Sequence, residues 1–153
     1  MSHAVSQNIE QQRAASALFS LQEYNTAVAQ KLEKGVLKQD PRSEYLSAIK
    51  ALPAAILQNG LGQTLASYRA AKTDGPKDVY QHLESWLCSK APHAPFDQDD
   101  QLLQALVTHD QNTYIAAQTE ALAYTRWLKK LAIAEFPALP NEPPNEQPPH
   151  QSQ

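Results

Sequence analysis

Ile9, Arg13, Ala17, Leu21, Tyr24, Val28 and Leu32 recur at steps of three and four residues, and so do Tyr114, Ala117, Ala121, Tyr124, Leu128 and Leu131. A 3.6-residue period gathers such positions on one face of a helix, whereas a strand would scatter them over both of its faces. Composition agrees: 23 Ala and 18 Leu stand against 10 Val and Ile together. Ala and Leu favour helix, and β-branched residues favour strands. Four Gly are too few for the many tight turns of a sandwich or barrel. The expected fold is all-α: a compact bundle of about six helices around one core, formed by residues 1–136 of the 153.

Proline and glycine punctuate the pattern. The first helix is expected over residues 5–37, stopping near Gly35 or at Asp40-Pro41, because the residue before a proline avoids helical backbone. The second covers 41–59 with Tyr45, Leu46, Ile49, Leu52, Ile56 and Leu57 buried, and a kink at Pro53. Asn59-Gly60-Leu61-Gly62 then matches a left-handed C-cap with its hydrophobic contact. A third helix over 61–72 is closed by Thr73-Asp74-Gly75-Pro76. The fourth spans 76–89 and buries Val79, Leu83, Trp86 and Leu87. Asp97, Asp99 and Asp100 suit the positive N-terminus of a fifth helix ending near Thr108. The sixth spans 110–136, with Asp110 as its cap. Residues 137–153 hold 6 of the 11 prolines and only two aliphatic residues, Ala138 and Leu139. This tail is expected to be disordered or polyproline-like, since it cannot bury a core.

Several classes of function drop out. No run of 18 apolar residues is present, so no segment is expected to span a membrane. The N-terminal residues lack the basic and apolar regions of a secretory signal, which points to the cytoplasm. A single cysteine, Cys88, excludes an internal disulfide and a multi-thiolate metal site, and its apolar neighbours mark it as structural. Gly60 and Gly62 form G-x-G after a helical pattern, where a dinucleotide fingerprint needs a strand. His3, His82, His93, His109 and His150 show no ligand spacing, and the acidic trio suits helix electrostatics better than a metal. With no catalytic constellation, no metal and no cofactor expected, the chain reads as a binding protein.

What it binds is less plain. Thirteen Lys and Arg against 16 Asp and Glu give a net charge of −3, unlike a free-standing nucleic-acid binder. A local basic face remains compatible with that balance. Arg126, Lys129 and Lys130 share one side of the sixth helix. Lys50, Arg69 and Lys72 would extend the patch if their helices neighbour the sixth. A face charged only for solubility is the alternative. Trp86 and Trp127 suit stacking on bases or packing in the core, with packing expected.

Two segments carry a resemblance. LPAAILQNGLGQTLASY (52–68) and TEALAYTRWLKKLAIAEF (119–136) resemble the small all-helical subunit of type III-B, Cmr-type CRISPR effector complexes. The likeness extends over about residues 10–136. Ser67, where a bulky apolar residue is expected, and the Pro-rich tail depart from the shared pattern. The resemblance implies a non-catalytic subunit, stacked with copies of itself in a minor filament. Its partners would be the backbone subunit, the large polymerase-like subunit, the guide RNA and target single-stranded RNA. Under it, Gln63 of the N-G-L-G-Q motif joins the basic residues as a candidate RNA or partner contact. A helical adaptor that binds only protein is the runner-up.

Overall fold

Six helices make up most of residues 6–138, the part of the chain described by the structure, a computed structural model. They are α1 (Ile9–Glu33), α2 (Arg42–Asn59), α3 (Leu61–Arg69), α4 (Asp74–Leu87), α5 (Leu102–Thr108) and α6 (Gln111–Glu135). The architecture is an all-α bundle, as the apolar stripes require. The expected disorder of the Pro-rich tail lies, from residue 139 onward, outside the described residues.

The two longest helices begin with side-chain caps. Asn8 and Gln11 form a reciprocal capping box at α1: the Gln11 N–H donates to Asn8 Oδ1 at 2.8 Å, and the Asn8 N–H to Gln11 Oε1 at 3.0 Å. Asp110 caps α6 as expected, accepting from the Thr113 N–H at 2.8 Å. These two helices then run side by side in the same direction. Arg13 meets Glu120, Ser16 meets Tyr124, and Asn25 meets the Glu135 carbonyl. Helix α2 runs the other way along α6, with Tyr45 against Phe136 at one end and Leu61 against Gln118 at the other. Ala17, Leu21, Ile49, Leu52, Leu83, Leu87, Ala121 and Leu128 fill the space between, all fully buried.

Several boundaries differ from the sequence expectation. The left-handed cap sits at Gly35 rather than at Gly60. Helix α1 ends at Glu33, Gly35 has φ +71°, and the Gly35 and Val36 N–H groups return to the Leu32 and Lys31 carbonyls. Gly60 also has positive φ, +81°, but its ψ of 162° is extended, a combination open essentially to glycine alone. It joins α2 and α3 through a sharp corner instead of winding α2 down. Helix α2 passes unbroken through Pro53. Leu57 is 72% exposed, not buried, because one residue beyond Ile56 turns it about 100° from the core stripe.

Helix α3 stops at Arg69, and Asp74-Gly75-Pro76 is the first turn of α4 rather than a closing loop. Proline is tolerated there because first-turn N–H groups have no helical acceptor. Gly75 is pressed onto α2, so close that a Cβ would stand 2.6 Å from the backbone of Glu44 and Tyr45. The acidic trio does not enter α5 either. The Leu102 N–H donates to Glu84 of α4 at 3.0 Å, so the cap comes from across the bundle.

At one end of the bundle Tyr24, Tyr45, His82 and Phe136 form an aromatic cluster with ring centroids 5.2–5.8 Å apart. Tyr45 Oη lies 2.6 Å from His82 Nδ1, and burial pushes the imidazole pKa down to about 4.

Two expectations follow. Gly60→Ala should cost about 1–3 kcal/mol in urea unfolding through backbone strain. Gly75→Ala should also destabilise, by about 1–2 kcal/mol net, because overpacking outweighs the roughly 1 kcal/mol gain in helix propensity. Separately, His82 must stay neutral in the fold while an unfolded imidazole titrates near pH 6.5. Its contribution is therefore full above that pH and fades as pH falls towards about 4. Urea midpoints at about pH 7.5, above that transition, and at about pH 4.5, most of the way through it, should show a shallower acid loss for His82→Phe than for wild type. Parallel losses would show that other groups drive the acid sensitivity.

Candidate nucleic-acid interface

Ala121, Tyr124, Leu128 and Ala132 are buried along α6, which fixes what the intervening positions do. Arg126, Lys129 and Lys130 fall between them and are all exposed. Arg126 and Lys130, one turn apart, border a surface hollow that Glu10, Ala123 and Trp127 complete. The sequence pattern brings these three cations onto one outward side, and the structure keeps them there.

The α6 face is anchored by a polar chain that the sequence reading did not find. Arg13 donates from Nε and Nη2 to the two carboxylate oxygens of Glu120, both at 2.7 Å. Trp86 Nε1 donates to the same carboxylate at 2.8 Å. Arg13 also pairs with Glu10, whose carboxylate accepts the Trp127 indole N–H at 2.9 Å. Burial alone would raise the Glu120 pKa, but the bonds from Arg13 and Trp86 outweigh it and hold the carboxyl below its usual range. The Trp127 and Arg13 bonds lower Glu10 in the same way. A visible clue existed: Arg13 occupies a core position in the α1 stripe, where a lone cation needs an acid.

The other candidates lie elsewhere. Arg69 ends α3 with its guanidinium 5.9 Å from the centre of the Tyr80 ring, a cation–π contact. It borders a second hollow with Lys77, Gln81 and Gln101, so Lys77 is a cation the sequence reading missed by tracking only the buried side of α4. Lys72 lies beyond the end of α3, and Lys50 is on α2; both are exposed. Helix α2 does pack along α6, whereas α3 meets α6 at its N-terminus, where the Gly62 N–H donates to Tyr114 Oη at 2.8 Å. Gln63 beside it is exposed. Ser67 is exposed too, with its hydroxyl on the Gln63 carbonyl, so the departure there costs no core packing.

This arrangement can bind anions. Among the described residues no group of three His, Cys, Asp or Glu comes together as a metal site, and no helix is long and apolar enough to cross a membrane. Cys88 is buried, which pushes its thiol up to about 12, out of the range of a nucleophile at neutral pH.

A family model described as CRISPR-associated protein (Cas_Cmr5) matches residues 9–135. The CRISPR system Cmr subunit Cmr5 of Thermotoga maritima is 31% identical over 97 residues, 61% of this chain and 68% of its own length. The crystal structure of a CRISPR-associated Cmr5 family protein from Thermus thermophilus shares the fold, with a TM-score of 0.63 at 22% identity. That match covers 86% of this chain and 100% of the other.

The Arg13 anchor generates a test by stability. Arg13→Ala should cost about 2 kcal/mol in urea unfolding, since it strands the largely buried Glu120 carboxylate. Adding Glu120→Gln should recover part of that loss. Strictly additive losses would mean the two side chains act independently.

Proposed function

The chain belongs to the Cmr5 family, the small non-catalytic subunit of the type III-B Cmr CRISPR complex, and from that premise we propose that it holds target single-stranded RNA on the outward face of α6. Copies stack head to tail in a minor filament beside the backbone subunit and reach the large polymerase-like subunit, in the cytoplasm. There the filament keeps the target strand against the guide RNA while other subunits cleave it. The observation that supports this reading is the exposed set of Arg126, Lys129 and Lys130 in a chain whose net charge is −3. Lys50, Gln63, Arg69 and Lys72 are secondary contacts to RNA or to neighbouring subunits.

The charge arithmetic suits an assembled binder. For a single strand, the logarithm of affinity falls with the logarithm of salt with a slope of about −0.7 per phosphate neutralised. Two or three phosphates per copy give feeble binding alone, and copies in register gain through effective concentration. Phosphate contacts carry no sequence information, so selection is left to guide pairing.

The test is target affinity of reconstituted complex at two salt concentrations, wild type against the Arg126→Ala, Lys129→Ala, Lys130→Ala variant. Affinity should fall equally for every guide-matched target, with a salt slope shallower by about 2 for each engaged copy. Cleavage of target already bound should persist. Equal affinities and slopes with normal assembly would make this face a solvated surface. Target binding that is unchanged when the whole subunit is left out would favour a protein adaptor.

A further inference from the structure

The hollow between Arg126 and Lys130 contains an aromatic ring as well as charge. Trp127 is part-buried and lines the hollow, together with Glu10 and the small side chain of Ala123. Its indole packs against the core and carries a polar tether on its outer side. The N–H is held at 2.9 Å by Glu10, Glu10 is paired with Arg13, and Arg13 grips Glu120 through two bonds. Trp86, the only other tryptophan, hangs from the same carboxylate but is 4% exposed and stacked on Tyr124 at 5.2 Å. The two indoles therefore differ: Trp86 is buried within the core, whereas Trp127 packs against the core from outside and borders the hollow between two cations.

That combination is the chemistry of single-strand binding, in which aromatic rings take bases and flanking cations take phosphates. The hollow encloses about 250 Å³, below the roughly 300 Å³ at which sites for drug-sized ligands begin. It has room for one base. We propose that this hollow is a one-nucleotide subsite: a base of single-stranded RNA that is not paired to the guide stacks on Trp127, its neighbouring phosphates lie on Arg126 and Lys130, and Glu10 is the positioning residue for the ring. The proposal rests on the reading that α6 faces RNA and adds a base contact to it. Glu10 is acidic, which opposes a phosphate, but its charge is opposed by Arg13 and engaged by the indole N–H. The subsite is indifferent to sequence, because every base presents a π-face.

Tryptophan emission tests it on the full chain. A short single-stranded adenosine oligomer is titrated at low salt, beside an abasic oligomer of the same length, and binding is followed independently by anisotropy. The adenosine oligomer should quench emission along its binding curve, whereas the abasic one should bind without quenching. Quenching should vanish in Trp127→Phe. Trp127→Ala should weaken binding of the adenosine oligomer about five- to tenfold with an unchanged salt slope, as loss of a stack and not of a phosphate contact predicts. Glu10→Gln keeps an acceptor for the indole while removing charge, so it should bind more tightly and still quench. Salt-dependent binding that is lost on removing the three cations, but with equal quenching by both oligomers or quenching that survives Trp127→Phe, overturns the stacking site and leaves the charged face standing. Binding that ignores the three cations, or no binding at low salt, removes both.

Discussion

The guanidinium of Arg13 meets both oxygens of Glu120, and through that carboxylate α1, α6 and α4 are fixed relative to one another. A bidentate pair sets angle as well as distance, which a lone apolar contact does not. Much else depends on it. Glu120 lies on α6 two turns before Trp127, and Glu10 lies on α1 one turn before Arg13. Arg13 also pairs with Glu10, and Glu10 receives the Trp127 indole, so one chain of bonds joins that ring to the clasp. The same register lets Ser16 meet the Tyr124 hydroxyl and stacks Trp86 flat on the Tyr124 ring. Burying such a pair is costly unless every polar atom finds a partner. Here no buried side-chain nitrogen or oxygen among the described residues lacks one.

A second clasp closes the other end of the same helices. Arg42 is buried against Asp40, donates to the Asn25 side chain at 2.6 Å, and Asn25 donates onward to the Glu135 carbonyl. Thus α1, the start of α2 and the end of α6 share one hydrogen-bonded junction, beside the aromatic cluster around Tyr45. With both ends of the α1–α6 pair fixed by directional bonds, the apolar middle can be filled by small and adaptable residues. Ala17, Ala117, Ala121 and Ala132 are all fully buried there, which lets the helix backbones approach closely.

The sequence disclosed the helices because their information is local. Apolar spacing named Val79, Leu83, Trp86 and Leu87 of α4 but not Tyr80, and Ala117, Ala121, Tyr124 and Leu128 of α6 but not Thr125 or Ala132; Asp110 announced its own cap. Leu57 was a slip of local phase, but several other failures are cases in which a distant residue decides. Asp97, Asp99 and Asp100 looked like the cap of α5, but Glu84, on a neighbouring helix, holds the Leu102 N–H. The start of α4 looked like a loop because Gly75 and Pro76 are loop residues; the close approach of Gly75 to the Glu44 backbone makes them helical. Gly60 was recognised as special without its conformation being recoverable. For the interface, helical spacing placed Arg126, Lys129 and Lys130 on one side. Lys77 beside Arg69, and Glu10 beside Trp127, are tertiary neighbours that no spacing rule contains.

The cations of α6 gain their meaning from this rigidity. A side chain such as lysine loses up to about 2 kcal/mol of rotamer freedom when it is pinned, comparable to what one exposed charge contact returns. A phosphate contact on a mobile helix would therefore come close to cancelling itself. On a helix fixed at both ends, the backbone cost has already been met by folding, and only the side chains remain to be ordered. Arg126 and Lys130 flank a ring whose own orientation is set by Glu10, so part of that ordering is done as well. On the function proposed above, a small acidic subunit can then contribute to holding RNA without carrying a basic domain, provided that several copies present the same face in register.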